Sequence, residues 1–227
     1  MSDKSKTQRR RTEARRRTGK NQIILAAVAG LIIAGTMFLM ITGTNPGDSA
    51  PAANQGRLEL DPVLGNPEAP VTIIEYGAYA CTSCRAWHQA GIIEQILAVY
   101  PDQVRFVFRD FPVIIPAYDH MAAEVAQCAL DQSQDGFWAL HDALYTTVRI
   151  GSSQEEILRT GEKLGLDGAA LRACVESNIH RATVQYDEDR ARRLALPGTP
   201  SFLVNDIRIF NATPDVLAAA VEQALSS

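Results

Sequence analysis

Histidine and cysteine are few in this chain of 227 residues, at four each. His120, His141 and His180 lie in helical segments without ligand spacing, and no histidine stands at ligand spacing from Cys128 or Cys174. A structural zinc normally takes two tight Cys-x-x-Cys or Cys/His pairs, and only one tight pair is present, Cys81 and Cys84. No repeat recurs along the chain, which argues against a solenoid. Low complexity is confined to residues 43–56, "GTNPGDSAPAANQG".

What is present is an ordinary domain with additions. The chain is 46% hydrophobic, and its length suits one domain plus extra segments. Its net charge of −4 hides an asymmetry. Residues 1–22 carry nine Lys or Arg against Asp3 and Glu13. A basic tail can point to nucleic acid, but the next segment argues otherwise. Residues 23–41, "IILAAVAGLIIAGTMFLMI", hold no charge. At about 1.5 Å per residue they span roughly 28 Å as a helix, close to a bilayer's hydrocarbon core. The basic flank predicts a cytoplasmic N-terminus by the positive-inside rule.

The expected layout is therefore a basic cytoplasmic tail over 1–22, a transmembrane anchor over 23–42 and a flexible linker over 43–56. A folded domain then occupies 57–227. The competing reading is a cleaved signal peptide, with "APA" at Ala50–Ala52 as a cleavage box. The apolar run is longer than such a peptide's, so the anchor is preferred. The arginines come in triplets without the apolar residues that follow a twin-arginine pair.

"VTIIEY" from Val71 reads as a strand, and residues 82–98 as one helix. "VRFVFRDF" from Val104 reads as a second strand. Pro112 and Pro116 break the chain, and a helical block of about 114–194 follows. Within it Ser153 stands three residues before Glu156, a capping box. "SFLVND" and "RIF" then read as two strands joined at Asn205 and Asp206. A last helix is capped by Thr213 with Pro214 at its first position. Allowing a weak strand near "GRLEL", Gly56–Leu60, the order without the block is β-β-α-β-β-β-α. That is the α/β layout of the thioredoxin fold.

In such a layout a Cys-x-x-Cys at the strand-to-helix junction reads as a redox pair, against a metal half-site or an inert staple. A cysteine in a helix's first turn faces unsatisfied N–H groups and the positive end of the dipole, and both favour the attacking thiolate. Cys81 takes that place. Cys84, one turn later on the same face, can reach it. Glu75 lies on the entering strand, opposite in face to Ile74 and Tyr76. A carboxylate in a mostly buried strand needs a reason: it is a proton acceptor for Cys84, or a strand-end acid with its head in solvent. In "GTPS", Pro200 opens a strand, where it cannot donate to a ladder. Roughly one X-Pro bond in twenty is cis, and a cis bond here would present the Thr199 backbone to a substrate beside Cys81. His88 follows Cys81 by seven residues and shares its helix face. It is assigned no role, and Trp87 and Trp138 are read as core.

The pieces "EYGAYACTSC", "VRFVFRDFPV", "AAEVAQCALDQ", "GFWALHDALY" and "LALPGTPSFLVND" run in one order over about 130 residues. They resemble the DsbA-like thiol–disulfide oxidoreductases, in the membrane-anchored branch similar to BdbD-type oxidases. The resemblance implies a thioredoxin fold with an inserted helical domain, a cis-proline at Pro200, Cys81 as nucleophile and an acid at Glu75. It implies donation of disulfides to exported proteins outside the cytoplasmic membrane. A quinone-linked membrane partner of the DsbB or vitamin K epoxide reductase type would restore the oxidised pair. No cofactor and no nucleic acid are expected. Two departures stand out. Thr82 and Ser83 form the dipeptide where relatives often have Pro then His, offering hydroxyls but no cation. Ala78 stands where Asp is common.

Cys128 and Cys174 leave three readings: a structural disulfide, a four-thiolate zinc site with the first pair, or free core cysteines. Family members with this second pair join it, so the resemblance implies the disulfide. Beside the oxidase, the same fold could serve as a reductase or isomerase, or as a binding module with an inert first pair.

Overall fold

A computed structural model describes residues 61–227. The expected tail, anchor and linker lie outside the described residues, as does Gly56–Leu60. Among the described residues no helix is long and apolar enough to cross a membrane.

Five strands form one mixed sheet: β1 (Val63–Gly65), β2 (Val71–Gly77), β3 (Val104–Asp110), β4 (Ser201–Val204) and β5 (Ile207–Ile209). Their order is β1-β3-β2-β4-β5. Only β2 and β3 pair in parallel, with Glu75 opposite Phe108. The other pairs are antiparallel. Two short helices, α1 (Thr82–Gln89) and α2 (Ile92–Val99), make the crossover that a parallel pair requires. Five more lie between β3 and β4: α3 (Pro116–Leu130), α4 (Gln134–Thr146), α5 (Gln154–Lys163), α6 (Gly168–Ser177) and α7 (Arg181–Arg193). The chain ends in α8 (Pro214–Leu225). This is a thioredoxin-like α/β fold.

Alternation along the strands separates two cores. Ile73, Phe106, Phe108, Phe202 and Val204 face one side, where they join apolar residues of α3, α4 and α8. Ile74, Tyr76, Val107 and Leu203 face the other, with Phe111, Ala191 and Leu196. Arg109 and Asp61 also bury themselves, each with 1% of its surface exposed, and meet at 2.7 Å. The Tyr76 hydroxyl accepts from the same guanidinium at 3.3 Å.

Local chemistry fixes the element ends. Ser153 and Glu156 form the reciprocal capping box, and Thr213 caps α8 with Pro214 in its first turn. Asn205 and Asp206, with φ of 46° and 67°, turn the β4–β5 hairpin in the left-handed conformation that asparagine and aspartate tolerate. One expectation needs correction. The single helix over 82–98 is two helices: Gly91, at φ 63°, takes a left-handed conformation and lets the chain turn. Among the described residues the sheet begins with Val63–Gly65.

Candidate active site

Strand β2 delivers the chain into a tight loop, Ala78–Tyr79–Ala80, that is almost wholly buried. Its polar groups are held by distant side chains. The Ala80 N–H donates to Asp119 Oδ1 at 2.7 Å, while Asp119 Oδ2 accepts from the N–H groups of Ile114 and Ile115 at 3.1 and 2.8 Å. One buried carboxylate thus ties the loop to the start of α3. The Tyr145 hydroxyl donates to the Ala78 carbonyl at 3.2 Å. Arg85 donates to the carbonyls of Leu144, Tyr145 and Val148, at 2.9, 2.6 and 3.2 Å. A cation meeting the carbonyl end of α4 docks α1 there with favourable charge.

Cys81 is the N-cap of α1, and its sulfur accepts the Cys84 N–H at 3.1 Å. It lies 3.3 Å from the Thr199 carbonyl oxygen, to which the thiol donates. The Thr199–Pro200 bond is cis. The sequence separation between Cys81 and Thr199 is 118 residues, so the fold brings these two constellations together. Cys81 and Cys84 are free thiols, 3% and 1% exposed. Thr82 and Ser83 beside them are exposed. The hydrogen bonds that favour the Cys81 thiolate come first from the Cys84 thiol and then from the N–H groups of Ser83 and Cys84. Among the described residues no Thr82 or Ser83 hydroxyl supplies one. A groove of about 380 Å³ opens beside Ser83 and Pro200, walled by Trp87, Phe202, Arg208 and Phe210.

The electrostatics divide the pair. The hydrogen bond from Cys84, with smaller help from the backbone N–H groups, outweighs burial and brings the Cys81 thiol down to about 6. Burial first, then the bond to Cys81 and the charge of Glu75, push Cys84 up. Glu75 is pushed up to about 8, chiefly by burial and secondly by the Cys81 charge. It sits on the face of β2 that Ile73 shares, between Phe108 and Phe202 in the register. Two residues on, Gly77 leaves room for the Phe108 ring, which an added Cβ would strike.

The second cysteine pair is elsewhere. Cys128 of α3 and Cys174 of α6 are joined by a disulfide, with Cα atoms 5.9 Å apart. Their sulfurs are therefore bonded to each other and do not serve as thiolates beside Cys81. Sequence patterns missed three contributors: Asp119, Arg85 and Tyr145. Each acts across at least 39 residues, beyond the reach of local periodicity.

A low-pKa cysteine capping a helix, a buried partner one turn on, and an X-Pro backbone against the sulfur define a thiol–disulfide exchange site on a thioredoxin-like sheet. Residues 58–223 match the sequence pattern described as Thioredoxin. A probable disulfide bond formation protein D from Bacillus anthracis is 28% identical over 89% of this chain and 94% of its own length. A Na(+)/H(+) antiporter, NhaA 3 of Salinispora tropica, is 30% identical over 90% of this chain, but the chain spans only 32% of that protein. The solved thioredoxin-like oxidoreductase from Silicibacter pomeroyi superposes with a TM-score of 0.65 at 30% identity, covering 74% of this chain and 94% of the other. The chain belongs to the thioredoxin family, as a DsbA-like thiol–disulfide oxidoreductase.

Proposed function

We propose that this protein introduces disulfide bonds into exported proteins through Cys81 and Cys84. The observation that carries the reading is the division of the pair, one thiol held down to about 6 at a helix N-cap and the other pushed up by burial. In the oxidised enzyme a substrate thiolate attacks the Cys81 sulfur. The 81–84 bond breaks, a Cys81–substrate bond forms, and the electron pair leaves on Cys84. A buried thiolate there is disfavoured and takes a proton, with Glu75 as its source. A second substrate thiolate then attacks the substrate sulfur of the mixed disulfide, and Cys81 leaves as a stabilised thiolate. Two electrons have passed from substrate to enzyme. A good leaving group at Cys81 favours the reduced enzyme, which makes the oxidised one an oxidant.

In this reading Thr199 and Pro200 present backbone to the substrate beside the sulfur, and the Cys128–Cys174 bridge is a staple within the helical block. Residues 23–42 anchor the domain, with the tail over 1–22 in the cytoplasm and residues 57–227 outside, tethered by 43–56. A quinone-linked membrane protein of the DsbB or vitamin K epoxide reductase type restores the disulfide. The name shared by the Bacillus relative supports the oxidative direction.

Cys84→Ser in cells tests it. The resolving thiol is removed, so Cys81 should accumulate in mixed disulfides with exported proteins, and capture of none would defeat the proposal. The potential of the pair separates oxidase from reductase: about −120 mV, as in DsbA, supports oxidation, and about −270 mV, as in thioredoxin, supports reduction.

A further inference from the structure

Glu75 is buried, yet its carboxyl does not end in closed core. It lines a cavity of about 280 Å³ together with Trp87, His88, Glu94, His141 and Asp142. A space of that size with several polar walls is roomy enough for more than one water, each of which needs about 10–15 Å³ of such volume. Glu94 is exposed and Asp142 largely so, so the cavity runs from the buried acid toward solvent.

His88 occupies the outer part of that route. It stands four residues after Cys84 on α1 and therefore shares its helix face. Its Nε2 is 2.8 Å from Asp142 Oδ1 on α4. Its ring packs 5.5 Å from the His141 ring and 5.3 Å from the Tyr145 ring, centre to centre. The Nδ1 atom takes no hydrogen bond from the described residues. The side chain is 19% exposed, so one ring can meet both bulk water and the cavity. Imidazole is the side chain that both accepts and donates a proton near neutrality. His141 is unsuited to such a role. It is fully buried among aromatic rings, its Nδ1 is engaged at 3.1 Å by the Tyr79 hydroxyl, and burial holds its pKa well below the usual value.

We propose that His88, oriented by Asp142, is the solvent-side relay of a proton path that runs through this cavity to Glu75 and Cys84. The inference rests on the reading of Glu75 as the proton source for Cys84. When the 81–84 bond breaks, Cys84 takes the proton of the Glu75 carboxyl. The carboxylate left behind recovers a proton through the cavity from the His88 imidazolium, and the neutral imidazole is protonated again from solvent. No electrons move along the path. In the reductive direction each transfer reverses.

The test is the single-turnover reaction of the oxidised protein with a reduced dithiol peptide, followed by stopped-flow at low buffer concentration. His88→Ala should slow it by roughly tenfold or more, at or below the ~10²-fold floor of general acid–base catalysis. Added imidazole should restore most of the rate by entering the space the ring vacated. His88→Gln, which keeps a hydrogen-bonding side chain for Asp142, should fold normally and be slow as well. Glu75→Gln should be slow and gain nothing from imidazole. A His88→Gln protein as fast as wild type, or a slow His88→Ala protein deaf to imidazole, overturns the relay while leaving Glu75 and the exchange reaction in place. A Glu75→Gln protein of unchanged rate removes the proton-source reading and the relay with it. Cys84→Ser trapping is independent of both.

Discussion

The Cys81 sulfur and the Thr199 carbonyl oxygen sit 3.3 Å apart although their sequence separation is 118. Their meeting sets the junction of β2 and α1 against the residues that lead into β4. The thiol at that junction is brought down to about 6, first by the hydrogen bond from Cys84. It is therefore roughly nine-tenths thiolate at pH 7, one unit above its midpoint. Iodoacetamide labelling of the reduced protein should rise through pH 6 and level off by about pH 8. One label should appear, on Cys81, with Cys84 modified only after denaturation. Because only 3% of the Cys81 surface is open, the same experiment measures access. No labelling of the native protein, or a midpoint near 9, would remove the nucleophile from the mechanism.

Glu75 gives a pH-dependent stability of defined sign. Its folded pKa, about 8, lies above the model-peptide value of 4.5 because burial disfavours the charge. The folded state thus holds the proton more tightly than the unfolded one. Its contribution is fully present below about 4.5 and is lost as pH rises toward 8. At pH 7 the shift corresponds to about 3 kcal/mol of lost stability. Glu75→Gln carries no titrating group, so it should unfold at higher urea than wild type at pH 8 and at nearly the same urea at pH 4. Parallel curves at both pH values would show that the carboxyl is not held in a desolvating site.

Cys81 and Cys84 are legible in the sequence because everything that defines them is local: a β-rich run, three residues of spacing and an amphipathic segment. The same holds for Ser153, Thr213 and the Asn205–Asp206 turn. Pro200 is visible as a strand-opening proline, and its place beside Cys81 emerges only when that strand and the Cys-x-x-Cys are read together in one fold layout. The break at Gly91 is hidden because apolar residues recur on both sides of it. The offset of seven from Cys81 to His88 says little, because the informative spacing is the four residues from Cys84. The partner of His88, Asp142, is 54 residues away, as Asp61 is 48 from Arg109. Pairings of that range depend on how α4 packs on α1 and on how Asp61, just ahead of β1, meets β3, which no local pattern states.

The Cys128–Cys174 bridge closes a long loop between α3 and α6, with a sequence separation of 46. In the chain-entropy treatment such a loop stabilises the folded state by about 4 kcal/mol. The Cys128→Ala, Cys174→Ala double variant should lose most of that, read as a lower urea midpoint with an m-value altered by the unconstrained denatured chain. With Cys81 and Cys84 both replaced by alanine so that only the bridge can respond, reducing agent should then leave the bridge-free protein's midpoint unchanged while lowering that of the protein that keeps Cys128 and Cys174. If the double variant matches the oxidised wild type in stability, the bridge is not a staple.

Arg109 tests what lies under the opposite face of the sheet. Its guanidinium donates to Asp61 Oδ2 from Nε and Nη2, at 3.1 and 2.7 Å, and to the Tyr76 hydroxyl at 3.3 Å, all in buried surroundings. Arg109→Met fills much of the same volume but leaves the Asp61 carboxylate buried without this cation. Removing one partner of such a pair costs about 3–5 kcal/mol, whereas replacing both by apolar groups is often close to neutral. Asp61→Leu combined with Arg109→Met should therefore be more stable than Arg109→Met alone, and the two single losses should not add. Because Arg109 stands opposite Tyr76 in the β2–β3 register, collapse of the single variant would also disorder β2 just ahead of the cysteine loop. Its Cys81 labelling midpoint should move up toward that of an ordinary thiol, and the double variant should bring it back. A double variant no more stable than Arg109→Met would mean that the cost arises from packing around the guanidinium and not from loss of its ion pair with Asp61.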